Sequence, residues 1–172
     1  MLVLMAGLPG TGKSTLVREV LRSTPGIRLD KDAIRPALFP PAALDYTPEQ
    51  DDVCIEAMLL AVGYLFDKDT KRLIFFDGRP FARRSERERV LGWAAEHRVT
   101  SLLVECVCPE NLVRERLEHD REQHPARNRD FALYQSLKAR WESILDPHLT
   151  IDTSQPLAHC AATVLRALQA AY

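Results

Sequence analysis

The sequence has little that would place it at a membrane or in an oxidising compartment. Its first apolar run, residues 1–6, is too short for a membrane span or a signal peptide and leads straight into a glycine-rich loop. The four cysteines show no Cys-x-x-Cys spacing, and three of them lie in apolar stretches. We therefore expect buried, reduced thiols in a cytoplasmic protein that has no membrane partner.

An excess of charge of either sign is also absent. Lysine and arginine number 23 against 24 aspartates and glutamates, which gives a net charge of −1 at pH 7. Nucleic-acid binding would therefore need a local basic patch. No repeat, low-complexity tract or linker divides the 172 residues, and nothing indicates an obligate protein partner. We expect one domain over residues 1–172.

Apolar runs alternate with segments of helical periodicity along the chain. This alternation predicts an α/β fold in which helices cover both faces of a parallel sheet, giving three α/β/α layers. The predicted strands lie near residues 1–6, 26–30, 72–76, 99–107 and 148–152. The predicted helices cover residues 13–23, 32–38, 48–67, 83–97, 109–120, 130–144 and 156–171.

The glycine-rich loop has the pattern Gly, four residues, Gly-Lys-Ser, between a predicted strand and a predicted helix. Such a loop turns its N–H groups towards phosphate oxygens at a helix N-terminus, although a glycine-rich turn that binds nothing would share the pattern. We expect Lys13 to reach the β- and γ-phosphates, Ser14 to bind Mg²⁺ and Thr15 to support the helix start. The predicted nucleotide-binding residues are Gly7, Leu8, Pro9, Gly10, Thr11, Gly12, Lys13, Ser14 and Thr15.

A second polar group follows the second predicted strand. Asp32 and Arg35 are three residues apart, so on a helix they point the same way. A carboxylate beside the γ-phosphate can accept the proton of an attacking hydroxyl, while the guanidinium holds the acceptor or shields developing charge. The alternative is a helix cap with a surface salt bridge, and Asp30 in particular suits a capping role.

The third predicted strand ends in Asp77, a position from which an aspartate can hold Mg²⁺ directly or through water. The alternative is a strand-end aspartate that only caps Gly78. Residues 79–89 then contain five arginines. We expect most of them on a solvated helix face, with one or two close enough to Asp77 to meet an acceptor phosphate.

A charged helix then runs into a polar, proline-interrupted segment, and we assign a lid to residues 116–130. Enzymes that transfer a phosphoryl group from a nucleoside triphosphate use a mobile lid that excludes water and delivers arginines to the phosphates. Arg116 and Arg121 are the predicted lid residues, the alternative being ordinary surface pairs.

Four segments together resemble the P-loop kinase group that includes 5′-polynucleotide kinases, zeta-toxin-type kinases and chloramphenicol phosphotransferase. They are Gly-Leu-Pro-Gly-Thr-Gly-Lys-Ser-Thr, Asp-Lys-Asp-Ala-Ile-Arg, Phe-Phe-Asp-Gly and the arginine-bearing lid. The resemblance covers most of the chain and implies a P-loop NTPase fold with a five-stranded parallel sheet, using ATP and Mg²⁺. It also implies that Asp32 is the general base and that Arg35 contacts the acceptor. Polynucleotide kinases often space their lid arginines four apart, whereas Arg116 and Arg121 are five apart.

The sequence thus predicts a kinase that moves the γ-phosphate of ATP to a hydroxyl. Residues 40–66 carry five acidic side chains and no lysine or arginine, which favours a small acceptor over a polyanion. A 5′-hydroxyl polynucleotide kinase is the alternative. An ATPase switch is a more remote one, because Asp77-Gly78 has no adjacent glutamate. A nucleic-acid-binding module that uses residues 79–89 is a further alternative. It would need neither Lys13 nor Asp32 and therefore explains less of the chain.

Overall fold

The fold is built on a sheet of five parallel strands in the order β2-β3-β1-β4-β5. The computed structural model describes residues 1–119 and 130–171. The strands are β1 (Leu2–Ala6), β2 (Ile27–Asp30), β3 (Ile74–Asp77), β4 (Ser101–Val107) and β5 (Leu149–Asp152). The predicted α/β class and five-stranded parallel sheet are confirmed.

Helices connect the strands. They are α1 (Lys13–Ser23), α2 (Lys31–Leu38), α3 (Pro48–Lys68), α4 (Arg84–Glu96), α5 (Glu110–His119), α6 (Phe131–Lys138) and α7 (Leu157–Ala170), with a short 3-10 helix at Pro41–Ala43. Within the ranges that the structure describes, no helix combines the length and the apolar character needed to cross a membrane.

Strand β1 is the centre of the sheet because all five of its residues are apolar and buried. A strand covered on both faces requires such a continuous apolar run. Met1, Val3 and Met5 pack into one core cluster with residues of α1 and α7. Leu2 and Leu4 face the other side, in a cluster with residues of α3 and α4. The sheet therefore has a helical layer on each face.

The order of the strands brings the polar motifs together. Strands β1, β2 and β3 are neighbours in the sheet and run parallel. The glycine-rich loop, Asp30 and Asp77 each lie where one of these strands ends. In open parallel sheets, ligands bind at the carboxyl ends of the strands. The fold thus places three separate sequence motifs at one edge.

The predicted helix 130–144 is wrong in its second half, because α6 ends at Lys138. The chain beyond it uses its backbone in tertiary contacts. The N–H of Glu142 donates to the carbonyl of Ala82 at 2.9 Å, and Nη2 of Arg87 donates to the carbonyl of Ser143 at 3.4 Å. Trp141 packs against the cluster that contains α3 and α4. Tertiary packing therefore overrides local helix propensity here.

Candidate active site

The glycine-rich loop needs glycine for steric reasons. A Cβ at Gly7, whose φ is +137°, would lie 2.5 Å from the carbonyl oxygen of Cys106. Gly12, with a φ of +81°, is the N-cap of α1 and offers no side chain to that helix. The first-turn N–H groups of α1 thus have no capping side chain, which is the arrangement that suits an anion such as phosphate.

Lys13 and Ser14 follow at the start of α1. Lys13 is buried, and its Nζ donates to the carbonyls of Gly7 at 2.5 Å and Leu8 at 3.1 Å. Ser14 is half-buried and lines a cleft beside the loop. Thr15 is exposed, and its hydroxyl accepts from Arg18 at 3.3 Å on the outer side of the helix. Of the two hydroxyls, the one of Ser14 therefore faces the cleft.

The cleft has a volume of about 670 Å³ and brings the loop and the second motif together. Lys13 and Ser14 line it, and so do Asp32 and Arg35. Seven cationic and five acidic side chains contribute to its wall. They are Lys13, Lys31, Arg35, Arg79, Arg83, Arg89 and Arg140 together with Asp32, Glu49, Asp51, Asp52 and Glu86.

Asp30 and Asp32 have separate roles. Asp30 caps α2 by accepting the N–H of Asp32 at 3.0 Å, as its capping alternative had predicted. Asp32 is half-buried in the cleft, 3.3 Å from Nζ of Lys31. Burial lowers the pKa of Lys31, an effect that the charge of Asp32 opposes. Of these two carboxylates, the one of Asp32 therefore lines the cleft, while the one of Asp30 caps the helix.

Arg35 contacts Asp51, a residue of α3. Its side chain is 3% exposed, and its guanidinium lies 4.7 Å from the ring centre of Tyr46. Nζ of Lys31 also reaches Asp51, at 2.8 Å. Asp51 therefore joins both cations of the second motif to α3. Sequence reasoning missed this contact, since the only signal was an acidic residue in the first turn of a predicted helix.

Asp77 is fully buried at the end of β3. Its Oδ2 accepts from Nε of Arg28 at 2.9 Å, and its Oδ1 has no hydrogen-bond partner. Asp77 does not itself line the cleft, whereas the next residue, Gly78, does. A buried carboxylate oxygen without a donor, together with a serine hydroxyl, is a donor set that suits Mg²⁺.

The protein alone offers few metal ligands. Among residues 1–119 and 130–171, no group of three or more His, Cys, Asp or Glu side chains could hold a metal ion. A Mg²⁺ ion at Ser14 and Asp77 would thus need oxygens from a bound phosphate or from water. Such an incomplete protein shell is typical of Mg²⁺ sites that use substrate phosphates.

Of the two predicted lid arginines, Arg116 lies within the described residues and Arg121 does not. Nη1 and Nη2 of Arg116 donate to Oγ1 and the carbonyl of Thr153, at 3.0 and 2.8 Å. Nη1 also lies 3.4 Å from the carbonyl of Gly10. Arg116 therefore connects the glycine-rich loop with the segment after β5. Arg121 lies outside the described residues, together with most of the predicted lid.

The acidic stretch 40–66 is largely compensated by arginines. Asp52 contacts Arg79 at 2.6 Å and Arg89 at 3.2 Å, and Glu56 contacts Arg89. Arg79 is 8% exposed and also contacts Glu86 at 2.9 Å. These acids therefore repel an anion less than their number in the sequence indicates. Of the five arginines in residues 79–89, three are exposed as predicted, while Arg79 and Arg87 are buried.

Comparisons with known proteins give a family and a fold. The sequence model of the AAA domain family matches residues 2–144. A search of curated proteins finds no significant sequence match. A solved protein of Chloroflexus aurantiacus that has been assigned as a kinase superposes with a TM-score of 0.74 at 19% identity, over 96% of each chain.

Two further solved structures are similar. The APS kinase CysC of Mycobacterium tuberculosis, in complex with AMPPNP and APS, has a TM-score of 0.70 at 17% identity, covering 98% of this chain and 96% of that one. A sugar kinase of Janibacter has a TM-score of 0.68 at 19% identity, covering 98% and 94%. Both have the P-loop kinase fold. The chain therefore belongs to the AAA domain family and has the fold of the P-loop kinases.

Proposed function

We propose that the protein is an ATP-dependent phosphotransferase that moves the γ-phosphate of ATP to a hydroxyl group of a small acceptor in the cytoplasm. The observation that carries this proposal is the shared cleft. Lys13 and Ser14, from the phosphate-binding loop, line the same cavity as Asp32 and Arg35. A donor phosphate and an acceptor hydroxyl could thus meet between them.

The nucleotide end of the cleft is the glycine-rich loop. Its N–H groups and the start of α1 favour the β- and γ-phosphates, and Lys13 adds a positive charge. Ser14 and Asp77 would hold Mg²⁺. When bound, this ion neutralises charge on the transferring phosphoryl group. The AMPPNP in the similar CysC structure supports ATP as the nucleotide.

At the other end, Asp32 is suited to accept the proton of the attacking hydroxyl. It is the second residue of α2, whose N-cap is Asp30, and Nζ of Lys31 lies 3.3 Å from one of its oxygens. Its backbone is thereby fixed while the carboxylate still faces the cleft. Because the chemistry of phosphoryl transfer demands positioning and charge stabilisation, a base held in this way is what the reaction requires.

The size of the cleft supports a small acceptor. A volume of about 670 Å³ is ordinary for a small-molecule site. The inner cations Lys31, Arg35 and Arg79 are each paired with a carboxylate of α3, so they do not form an uncompensated basic track for a polyanion. The similar proteins include an APS kinase with bound APS and a sugar kinase.

A 5′-hydroxyl polynucleotide kinase is the second candidate. The observation that favours it is a pair of exposed arginines in the wall of the cleft, Arg83 and Arg140. They could contact the phosphates that follow a 5′-end. Nucleic-acid phosphorylation would then weaken steeply with salt, whereas the transfer to an uncharged small molecule would not.

An acceptor screen tests the proposal. Purified protein is incubated with γ-labelled ATP and, separately, with sugars, nucleosides, antibiotics and a 5′-hydroxyl oligonucleotide, at two salt concentrations. We expect label in one small-molecule class. Lys13→Ala should abolish it, while Lys68→Ala, an exposed lysine at the end of α3, should not. Efficient, salt-sensitive labelling of the oligonucleotide alone would overturn the small-acceptor assignment, and no labelling of any acceptor would count against a kinase.

A further inference from the structure

Arg28 joins two carboxylates at the ends of neighbouring strands. Asp30 and Asp77 are paired in the register between β2 and β3. Nη2 of Arg28 lies 2.6 Å from Oδ2 of Asp30 and 2.8 Å from Oδ2 of Asp77. Nε of the same guanidinium donates to Oδ2 of Asp77 at 2.9 Å. One cation thus contacts both acids.

The hydrogen bonds of Asp77 are unequally divided between its oxygens. Oδ2 has both contacts from Arg28, while Oδ1 is buried and has no partner. The Asp77 side chain is 0% exposed, and a buried oxygen left without a donor is costly to a fold. Such an oxygen points to a ligand that is absent from the protein itself.

We propose that Arg28 is a positioning residue that acts as an internal cation between Asp30 and Asp77. It occupies the place that a divalent ion would otherwise take between the two acids. It leaves Oδ1 of Asp77 as the oxygen that can contribute to a metal shell. Metal binding consequently depends on the phosphates of a bound nucleotide. Only this last step relies on the proposed function.

The charges explain why the guanidinium would exclude a metal. Two convergent carboxylates are a favourable site for a divalent ion, since their oxygens supply both ligands and negative charge. Arg28 neutralises part of that charge and uses the Oδ2 atoms that would coordinate the ion. One remaining carboxylate oxygen is too few for a stable site, so phosphate oxygens have to supply the rest.

Manganese provides a direct test, because bound and unbound Mn²⁺ are distinguished by electron paramagnetic resonance. The protein without nucleotide is titrated as wild type, Arg28→Gln and Arg28→Lys. We expect Arg28→Gln to bind Mn²⁺ at least about 10-fold more tightly than the wild type, the scale on which residues behind metal ligands act. Arg28→Lys keeps the charge and should stay close to the wild type. Arg22→Gln, an exposed arginine of α1, is the control.

A second substitution locates the new site. Asp30→Asn in the Arg28→Gln background removes one of the two carboxylates and should abolish the gain. Without nucleotide, equal Mn²⁺ affinity of the wild type and Arg28→Gln would overturn the proposal. Tight Mn²⁺ binding by the nucleotide-free wild type would overturn it as well. If Arg28→Gln is destabilised in the absence of metal, added Mn²⁺ should raise its melting temperature. The absence of such a rise would equally overturn the proposal.

Mn²⁺ binding in the presence of a nucleotide distinguishes a failure of this inference from a failure of the proposed function. Wild-type protein with AMPPNP is expected to bind Mn²⁺ that the protein alone does not bind. Failure to bind AMPPNP at all would contradict the proposed function, while the measurements without nucleotide would still decide the role of Arg28.

Discussion

Arg116 of α5 and Thr153 after β5 are joined by two hydrogen bonds from one guanidinium, to Oγ1 at 3.0 Å and to the carbonyl at 2.8 Å. Oγ1 of Thr153 in turn donates to the carbonyl of Thr11 at 2.9 Å. The contact therefore links three separate segments of the chain around the glycine-rich loop. In the described structure Arg116 thus supports the glycine-rich loop.

Arg116→Ala should loosen this support. We expect a loss of about 1–3 kcal/mol in stability, because partly buried acceptors at Gly10 and Thr153 would lose a charged donor. Nucleotide affinity should fall as well, since the loop backbone would be less well ordered. Thermal unfolding and AMPPNP titration measure the two effects. Arg114→Ala, an exposed arginine two residues earlier, is the control and should leave nucleotide affinity unchanged.

Asp51→Asn should be costly because it removes the carboxylate partner of Arg35 and leaves Lys31 with Asp32 alone. Both cations are nearly buried, and removing one partner of a buried ion pair typically costs about 3–5 kcal/mol. The partial exposure of Asp51 itself places the expected loss at the lower end of that range. Urea unfolding measures it. Asp52→Asn, a neighbouring acid that is 48% exposed, should cost much less, and equal losses would contradict the account.

The sequence predicts those parts of the site that depend on residues close together along the chain, and it misses those that depend on distant residues. The glycine-rich loop, Asp30 as a cap and the start of α3 at residue 48 are local patterns, and the structure contains them. The pairing of Asp51 with Lys31 and Arg35 spans up to 20 residues and depends on how α2 packs against α3. No spacing rule along one chain predicts that packing.

The end of α6 shows the same limit. Residues 139–144 have enough helix-forming side chains to extend the prediction to 144. Their backbone groups nevertheless bond to Ala82 and Arg87, which lie more than 50 residues away. A local propensity of a few tenths of a kcal/mol per residue is easily outweighed by such contacts.

Gly7→Ala should destabilise the protein and weaken nucleotide binding. The new Cβ would approach the carbonyl of Cys106 to 2.5 Å, and the positive φ adds strain of about 1–3 kcal/mol. Gly92→Ala is a matched control that should stabilise the protein. A Cβ at Gly92 meets nothing within 4 Å, and alanine within a helix is more stable than glycine by about 0.5–1 kcal/mol. Thermal unfolding of the two variants should therefore shift in opposite directions.

Cys106 should be unreactive in the folded protein. Burial raises the pKa of its thiol to about 12, so at pH 8 to 9 it stays protonated even where an ordinary cysteine ionises. Cys108 is half-exposed and should react first with iodoacetamide. Mass spectrometry after brief labelling measures both sites, with denatured protein as the control. Rapid native labelling of Cys106 at pH 8 would contradict its burial.

We propose Asp32 as the base of a phosphoryl transfer in the cleft that it shares with the glycine-rich loop. Asp32→Asn keeps the size of the side chain and removes its ability to accept a proton. The most direct measurement compares single-turnover transfer and AMPPNP affinity in this variant, with Asp67→Asn, an exposed aspartate at the end of α3, as control. We predict that transfer falls by at least about 100-fold while nucleotide affinity is retained, in keeping with the usual contribution of a general base. Full transfer activity in Asp32→Asn would contradict the account.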